Sequence, residues 1–578
     1  PGRAGAAVRA GRARRAGAGG AAHLAGHRGQ GVRPPGRLRR GGREPRAVWR
    51  AVLPDGVRGG LRGASRPERR QRGPGARPPR PLADVDAGWR AGSGPVLRDG
   101  VVERVQRAAG AVAGAGSQRF GGDPEPRLVQ GYLFARAAGG AAASAASVSV
   151  SLVALRGALP YAGGSGVLPA SELTVLASEE FALEAGGRWT RVDFALDAGV
   201  GADCEVLAAP AACPGAVRTP EGECVLCRGG LLVAARGGAA ALDFVFLQPG
   251  AWGRFEGLPV RADAARALQD VGVRALRLGG STCNVPGWRW KNMRGPREHR
   301  APYAGEWHPF ASQGWRIFEF LALCEKLGAL AVVTLNNEES PEDLADLVEY
   351  AHGGPGTAWG RTRAADGRAA PFATFVVEIG NEQQLDYRLV RQVSEGAEAM
   401  RIRAGVIGLD RGALRFAIGH NLDMAMINTP VCDAMVNATK FLGPTVMWDL
   451  HVDGDTPDQE DHWAATFDMA LRMLDRLGSQ MRLAVFEENA FRHDLVRGLN
   501  RARYANAYAR LGDRFEIGTA ANGLQVLGRN DNGWDQGAVF LAPDRAWLSP
   551  FGHAARLVAR SSQPVVLRCR LRQRAATG

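Results

Sequence analysis

At 578 residues the chain is too long for one ordinary domain, and its 45% hydrophobic and 23% charged residues fit a globular protein rather than a fibrous one. No run approaches the roughly 18 consecutive apolar residues that a membrane-spanning helix needs. The formal charge of +15 would ordinarily point to nucleic acid, but residues 1–80 hold 21 Arg, no Lys and three acids (Glu44, Asp55, Glu68). That segment carries a net +18, and subtracting it from +15 leaves residues 81–578 at −3, which gives no support to a nucleic-acid partner.

In chain order, residues 1–85 are dominated by Arg, Gly, Ala and Pro, with no apolar period, and are expected to be disordered. Residues 86–240 contain short alternating runs, SVSVSLVAL (147–155), ELTVLA (172–177) and RWTRVDFAL (188–196), separated by Gly- and Pro-containing turns. Such spacing predicts an antiparallel β-sandwich. Cys204, Cys213, Cys224 and Cys227 crowd into one loop-rich stretch, where two disulfides are favoured over a zinc site. Asn437-Ala438-Thr439 is a glycosylation sequon, in line with an extracellular or secretory-pathway location.

From residue 241 the rhythm changes. Eight apolar runs, ALDFVF (241–246), VRALRL (273–278), LAVVTL (330–335), FATFVVEIGN (372–381), LRFAIG (414–419), TVMWDLHV (445–452), RLAVFEEN (482–489) and EIGTAANGLQ (516–525), alternate with helical patterns such as PEDLADLVEYAHG. Runs without alternation are strands buried on both faces, as in parallel sheets. The predicted architecture is α/β, a (β/α)8 barrel over 241–540, followed by a partial C-terminal β-sandwich over 541–578. No Gly-x-Gly-x-x-Gly follows the first strand, so nothing supports a dinucleotide cofactor.

Barrel active sites lie at the C-terminal ends of the strands. Those ends supply Gly279-Gly280-Ser281, Asn336-Asn337-Glu338, Asn381-Glu382, His420-Asn421, His451, Glu487-Glu488-Asn489 and Asn522 to Gln525. Carboxylates and amides, with no dense metal-ligand set and no phosphate loop, suit hydroxyl-rich substrates and require no cofactor. Glu382 and one of Glu487 and Glu488 form the candidate carboxylate pair, since two such groups across a barrel mouth can flank one glycosidic bond. Strand alternation lets only one of two neighbours face the substrate. His451 can orient the nucleophile, contact sugar or be a satisfied structural histidine, and Trp288 and Trp290 can stack on sugar faces or pack in the core. Asn337 and Glu338 either line the cleft or cap the next helix.

Taken together, ALDFVFLQPGAWGRFEGLPVRADAARALQDVGVRALRLGGS, WRWKNMRGPREHR (288–300), EIGNE (378–382) and GLQVLGRNDNGWDQGAVFLAPDRAWLSPFGHAARL resemble glycoside hydrolase family 51, the α-L-arabinofuranosidases, over roughly 241–560. The resemblance implies that Glu382 is the acid/base, Asn381 a ligand of the sugar 2-hydroxyl and Gln525 a substrate-binding glutamine. It also implies that the 128–240 strands form the carbohydrate-binding-like sandwich of the plant-type branch. The family nucleophile is usually followed by Trp or Tyr, whereas this chain reads AVFEENA; aligning Phe-x-Glu selects Glu488, and aligning the later Asn selects Glu487. Glu488 is preferred. The implied activity is removal of terminal arabinofuranosyl residues from arabinose-containing polysaccharide or oligosaccharide by double displacement. The alternatives are an endo-glucanase on the same barrel, or a catalytically inactive carbohydrate-binding protein.

Overall fold

The computed structural model describes residues 128–138, 147–155, 173–184, 187–197, 229–307, 311–526, 536–542 and 545–562, with short strand segments at 96–97, 105–107, 204–207, 217–218 and 224–227. The Arg-rich 1–85 segment, Cys213, the side chains of Cys204, Cys224 and Cys227, Trp534 and the 563–578 tail lie outside the described residues.

Two four-stranded antiparallel sheets form the sandwich. Leu128–Ala138 is central in one, between Ala239–Pro249 and Thr190–Asp197, and Ser147–Leu155 is central in the other, between Gly229–Arg236 and Leu173–Ala182. Alternate residues enter its core, among them Val129, Leu133, Val148, Val150, Val192, Phe194, Leu231 and Val233. On Thr190–Asp197 the residues between them are exposed, the half-solvated alternation of antiparallel sheets, whereas Ser149 and Ser151 of the other sheet are themselves buried.

One expectation is corrected here. The 241–246 run, predicted as the first barrel strand, belongs to Ala239–Pro249 and pairs with Leu128–Ala138. Its apolar residues bury against the sandwich, and short apolar runs do not reveal which sheet they join.

The parallel sheet therefore has seven strands among the described residues: β1 (Ala275–Leu278), β2 (Leu330–Leu335), β3 (Val376–Ile379), β4 (Arg415–Ile418), β5 (Val446–Asp453), β6 (Arg482–Asn489) and β7 (Phe515–Ala520), hydrogen-bonded in that order. The sheet curls into a nearly closed (β/α) barrel. Val332, Val376, Ala417, Met447, Ala484, Phe486 and Ile517 fill its interior as one layer. Their immediate neighbours, including Val333, Val377, Phe416, Trp448, Leu483 and Val485, face the surrounding helices. This is period-two alternation with both faces buried, which explains the uninterrupted apolar runs.

Helices α1 (Ala262–Val271), α2 (Ile317–Leu327), α3 (Pro341–His352), α4 (Ala358–Ala365), α5 (Tyr387–Val406), α6 (Pro430–Thr439), α7 (Pro457–Arg476) and α8 (Leu495–Leu511) lie between or beside the strands. Ser340 caps α3 by accepting from Asp343 N, with Pro341 in the first turn. Asn337 and Glu338 are thus not the cap. The region predicted to open a second sandwich instead gives strand Ala546–Leu548, paired with Val539–Leu541, and then helix α9 (Pro550–Ser561). Phe551 and Gly552 are its buried residues.

Between β1 and β7 runs a cavity of about 1200 Å³, lined along both strands and opening at the C-terminal end of the barrel, where Arg277, Glu382 and Glu487 reach it.

Candidate active site

The chain leaves β3 through Gly380 at φ +79, then Asn381, then Glu382 at φ +48. A left-handed conformation is rare for a residue with a Cβ and concentrates at functional positions. The reversal leaves the Glu382 side chain 47% exposed at the mouth, while Asn381 is fully buried.

On β6 the two neighbouring glutamates separate. Leu450 pairs with Val485 and His451 with Glu487, so Phe486 is the extra residue of a β-bulge. Its amide donates to Asp449 Oδ1 at 2.9 Å instead of to a strand carbonyl. Ala484 and Phe486 point into the barrel by simple alternation, and the bulge then turns Glu487 inward as well. Glu488 points outward to α8, where Arg501 Nη1 lies at 2.7 Å and Arg497 Nη1 at 3.7 Å. Its side chain is 0% exposed, against 20% for Glu487. The sequence preference for Glu488 therefore fails: its carboxylate is occupied in a buried ion cluster away from the mouth.

Glu487 sits 3.0 Å from Arg277 Nη1 and 3.5 Å from His451 Nδ1. Asn489 Nδ2 donates to its other oxygen at 3.4 Å. Glu382 accepts from His451 Nδ1 at 2.8 Å. A carboxylate oxygen of Glu382, one of Glu487 and a ring nitrogen of His451 all lie within 4.8 Å of one another.

Two buried charges organise this group. Arg277 is held in a two-point pair by Glu378, at 2.7 and 2.9 Å, and donates to Asn381 Oδ1 at 2.6 Å. Burial opposes its charge, but Glu378 and Glu487 outweigh that and hold its pKa above the usual arginine value. Burial pushes Glu378 up to about 7, against the pull of Arg277. His451 is flanked by Glu382 at Nδ1 and by Asp449 Oδ2, 2.7 Å from Nε2. Burial disfavours the imidazolium, yet Asp449, Glu487 and Glu382 together raise its pKa well above that of a free histidine.

The other expected residues divide. Asn337 donates to Gln383 Oε1 at 2.7 Å beside the reversal, so it braces the loop that carries Glu382. Gln525 is buried and accepts from Asn522 Nδ2 at 2.9 Å; Asn522, not Gln525, lines the cavity. Trp290 does not reach the cavity. It is fully buried against Phe318, Tyr350 and Trp359, and its indole N–H donates to Asp343 O, which makes it a core residue. Trp288 does line the cavity, with its indole N–H on Thr334 O. His420 sits beside the site, its Nδ1 2.7 Å from Gln383 O.

Sequence reasoning missed Arg277, Glu378, Asp449, Gln536, Glu306 and Trp307. The first three are charged residues inside apolar strand runs, which buried charges enter only when paired. That signal was available. Gln536 ties Asn489 Oδ1 and Ala490 N, while Glu306 and Trp307 line the mouth from the loop before α2.

Two carboxylates over the C-terminal mouth of a parallel barrel can flank one glycosidic bond; in retaining glycoside hydrolases such a pair stands about 5 to 5.5 Å apart. Residues 267–401 match the family model described as alpha-L-arabinofuranosidase 1 domain. Similar curated proteins include alpha-L-arabinofuranosidase 1 of Arabidopsis thaliana, 32% identical over 142 residues (21% of this chain, 21% of that protein). An extracellular exo-alpha-L-arabinofuranosidase of Streptomyces chartreusis is 31% identical over 191 residues (27% and 23%). The matched part spans about a quarter of the length of these relatives. Among solved structures, arabinose-bound MgGH51 α-L-arabinofuranosidase has the same fold, with TM-score 0.55, 17% identity, and coverage of 75% of this chain and 65% of that one. The matched part of the chain is thus similar to α-L-arabinofuranosidases.

Proposed function

We propose that the protein is a retaining exo-acting α-L-arabinofuranosidase, with Glu487 as nucleophile and Glu382 as acid/base. The observation that carries this reading is the placement of Glu382 and Glu487, with carboxylate oxygens no more than 4.8 Å apart over the barrel mouth. At that spacing no water fits between nucleophile and anomeric carbon, as an inverting enzyme would need, so attack by the carboxylate itself is favoured. Glu487, held by Arg277 and Asn489, would form the bond to the anomeric carbon while Glu382 gives its proton to the departing oxygen. Glu382 would then take a proton from the incoming water, which breaks the glycosyl ester and restores Glu487. Asn381, fully buried with its Oδ1 on Arg277, braces the turn that carries the acid/base, and Trp307 offers an aromatic face at the mouth.

The substrate would be arabinose-decorated polysaccharide or its oligosaccharides. Asn437 is exposed on α6, whereas Thr439, the third residue of the sequon, is buried with its hydroxyl on Met435 O and Val436 O. Among the described residues no helix is long and apolar enough to cross a membrane.

The test is hydrolysis of an aryl α-L-arabinofuranoside followed by proton NMR of the first-formed sugar. Arabinofuranose of unchanged anomeric configuration is expected. An inverted product would refute the double displacement, and absence of hydrolysis would refute the activity.

A further inference from the structure

We propose that Asp449 is a positioning residue for both catalytic carboxylates, holding the β6 bulge that turns Glu487 into the barrel and anchoring the histidine that orients Glu382. The inference rests on the roles just given to those two glutamates.

Asp449 lies on β5 with its side chain wholly buried among the strands. Its two oxygens do separate work. Oδ1 accepts the amide of Phe486, the residue left over by the bulge, at 2.9 Å. A bulge strands a main-chain donor inside the barrel, and a buried N–H without an acceptor costs about 1–3 kcal/mol. With that donor satisfied by Asp449, β6 can keep the extra residue that places Glu487 inward and Glu488 outward. Oδ2 lies 2.7 Å from His451 Nε2, and His451 presents its other nitrogen to Glu382 Oε1 at 2.8 Å. One carboxylate thus reaches the nucleophile through the backbone and the acid/base through an imidazole. It touches neither.

Asp449 also belongs to the charge cluster of the barrel interior. Glu378 on β3, Arg277 on β1 and His420 after β4 feel its charge, and His451 faces it along its own strand. Glu487 on β6 and Glu382 after β3 complete the groups around His451. Burial weighs against the imidazolium, and Asp449 is the largest contribution that favours it.

Asp449→Asn separates the two functions. Its amide oxygen can still accept the Phe486 N–H, whereas its neutral amide removes the negative charge 2.7 Å from His451 Nε2 that favours the imidazolium. His451 would then be neutral. The expected result is a loss of about a hundredfold or more in kcat on an aryl α-L-arabinofuranoside, with KM changing far less, a shifted pH profile and an unchanged folded fraction by circular dichroism. Nitrogen-15 NMR of the ring should show the His451 imidazolium at neutral pH in the wild type and its absence in the variant. Asp449→Ala removes both contacts, and its crystal structure should show β6 without the bulge and Glu487 displaced from the mouth.

Wild-type kcat and pH profile in Asp449→Asn would overturn the proposal. So would activity lost only in step with folded protein at an unchanged pH profile, or an intact bulge in Asp449→Ala. If Asp449→Ala does not fold, Asp449→Asn decides alone. A wild type that fails to cleave the furanoside would remove the functional reading, and it differs from these outcomes because the ring NMR and the bulge are read without substrate.

Discussion

Glu487→Gln is expected to abolish turnover of an aryl α-L-arabinofuranoside, by a factor on the order of 10⁴ to 10⁶, while Glu488→Gln leaves kcat per folded molecule close to wild type. The contrast follows from the bulge. Glu487 faces the cavity beside Arg277 and His451, and an amide in its place cannot form the glycosyl ester. Glu488 is enclosed by Arg501 and Arg497, and the Arg497 and Arg501 guanidinium groups stack on Phe551. Neutralising it strands two buried cations and should cost about 3 kcal/mol or more of stability. Urea denaturation beside steady-state kinetics separates the cases. A stable Glu487→Gln that retains activity, or an unstable one whose loss Glu488→Gln shares per folded molecule, would return the nucleophile to open question.

The second large effect concerns Glu382→Gln. Without a general acid, substrates with poor leaving groups should slow by about 10² to 10⁴. A dinitrophenyl arabinofuranoside, which needs no proton to depart, should still glycosylate Glu487 at a rate near that of wild type. Deglycosylation also needs Glu382, as base, so the glycosyl-enzyme should accumulate and appear as a pre-steady-state burst. Azide, a nucleophile that needs no base, should restore turnover and give arabinofuranosyl azide of retained configuration. Equal slowing for good and poor leaving groups, without a burst or azide rescue, would mean that Glu382 only shapes the site.

Much of this was legible before any coordinates. Parallel strands announced themselves as uninterrupted apolar runs because both faces are buried, and Glu382 stood out as a charge at the end of one. The 241–246 run was misplaced because an apolar strand buried in a sandwich reads like one buried in a barrel. Glu488 was preferred because alternation is the default rule of a strand, and a bulge is a local exception set by a partner on another strand. The Phe486 amide finds that partner in Asp449, 37 positions away. Trp290 stays open in sequence for a related reason: aromatic residues near a strand end serve the core or the mouth according to what packs on them. Arg277 and Glu378 were readable in principle, as charges within VRALRL and FVVEIGN, but their common partners are fixed only by closure of the barrel.

The left-handed backbone at Glu382 has a consequence for durability. A residue with a full side chain at φ +48 carries a conformational penalty of about 1 to 3 kcal/mol, tolerated because the side chain must reach the mouth. Asparagine occupies that region more easily, so Glu382→Asn should raise the denaturation midpoint while extinguishing the chemistry. The protein would become hardier as it fell silent. A population of this chain selected for heat endurance alone would be expected to drift at this position early, whereas selection for turnover would keep the strained glutamate in place.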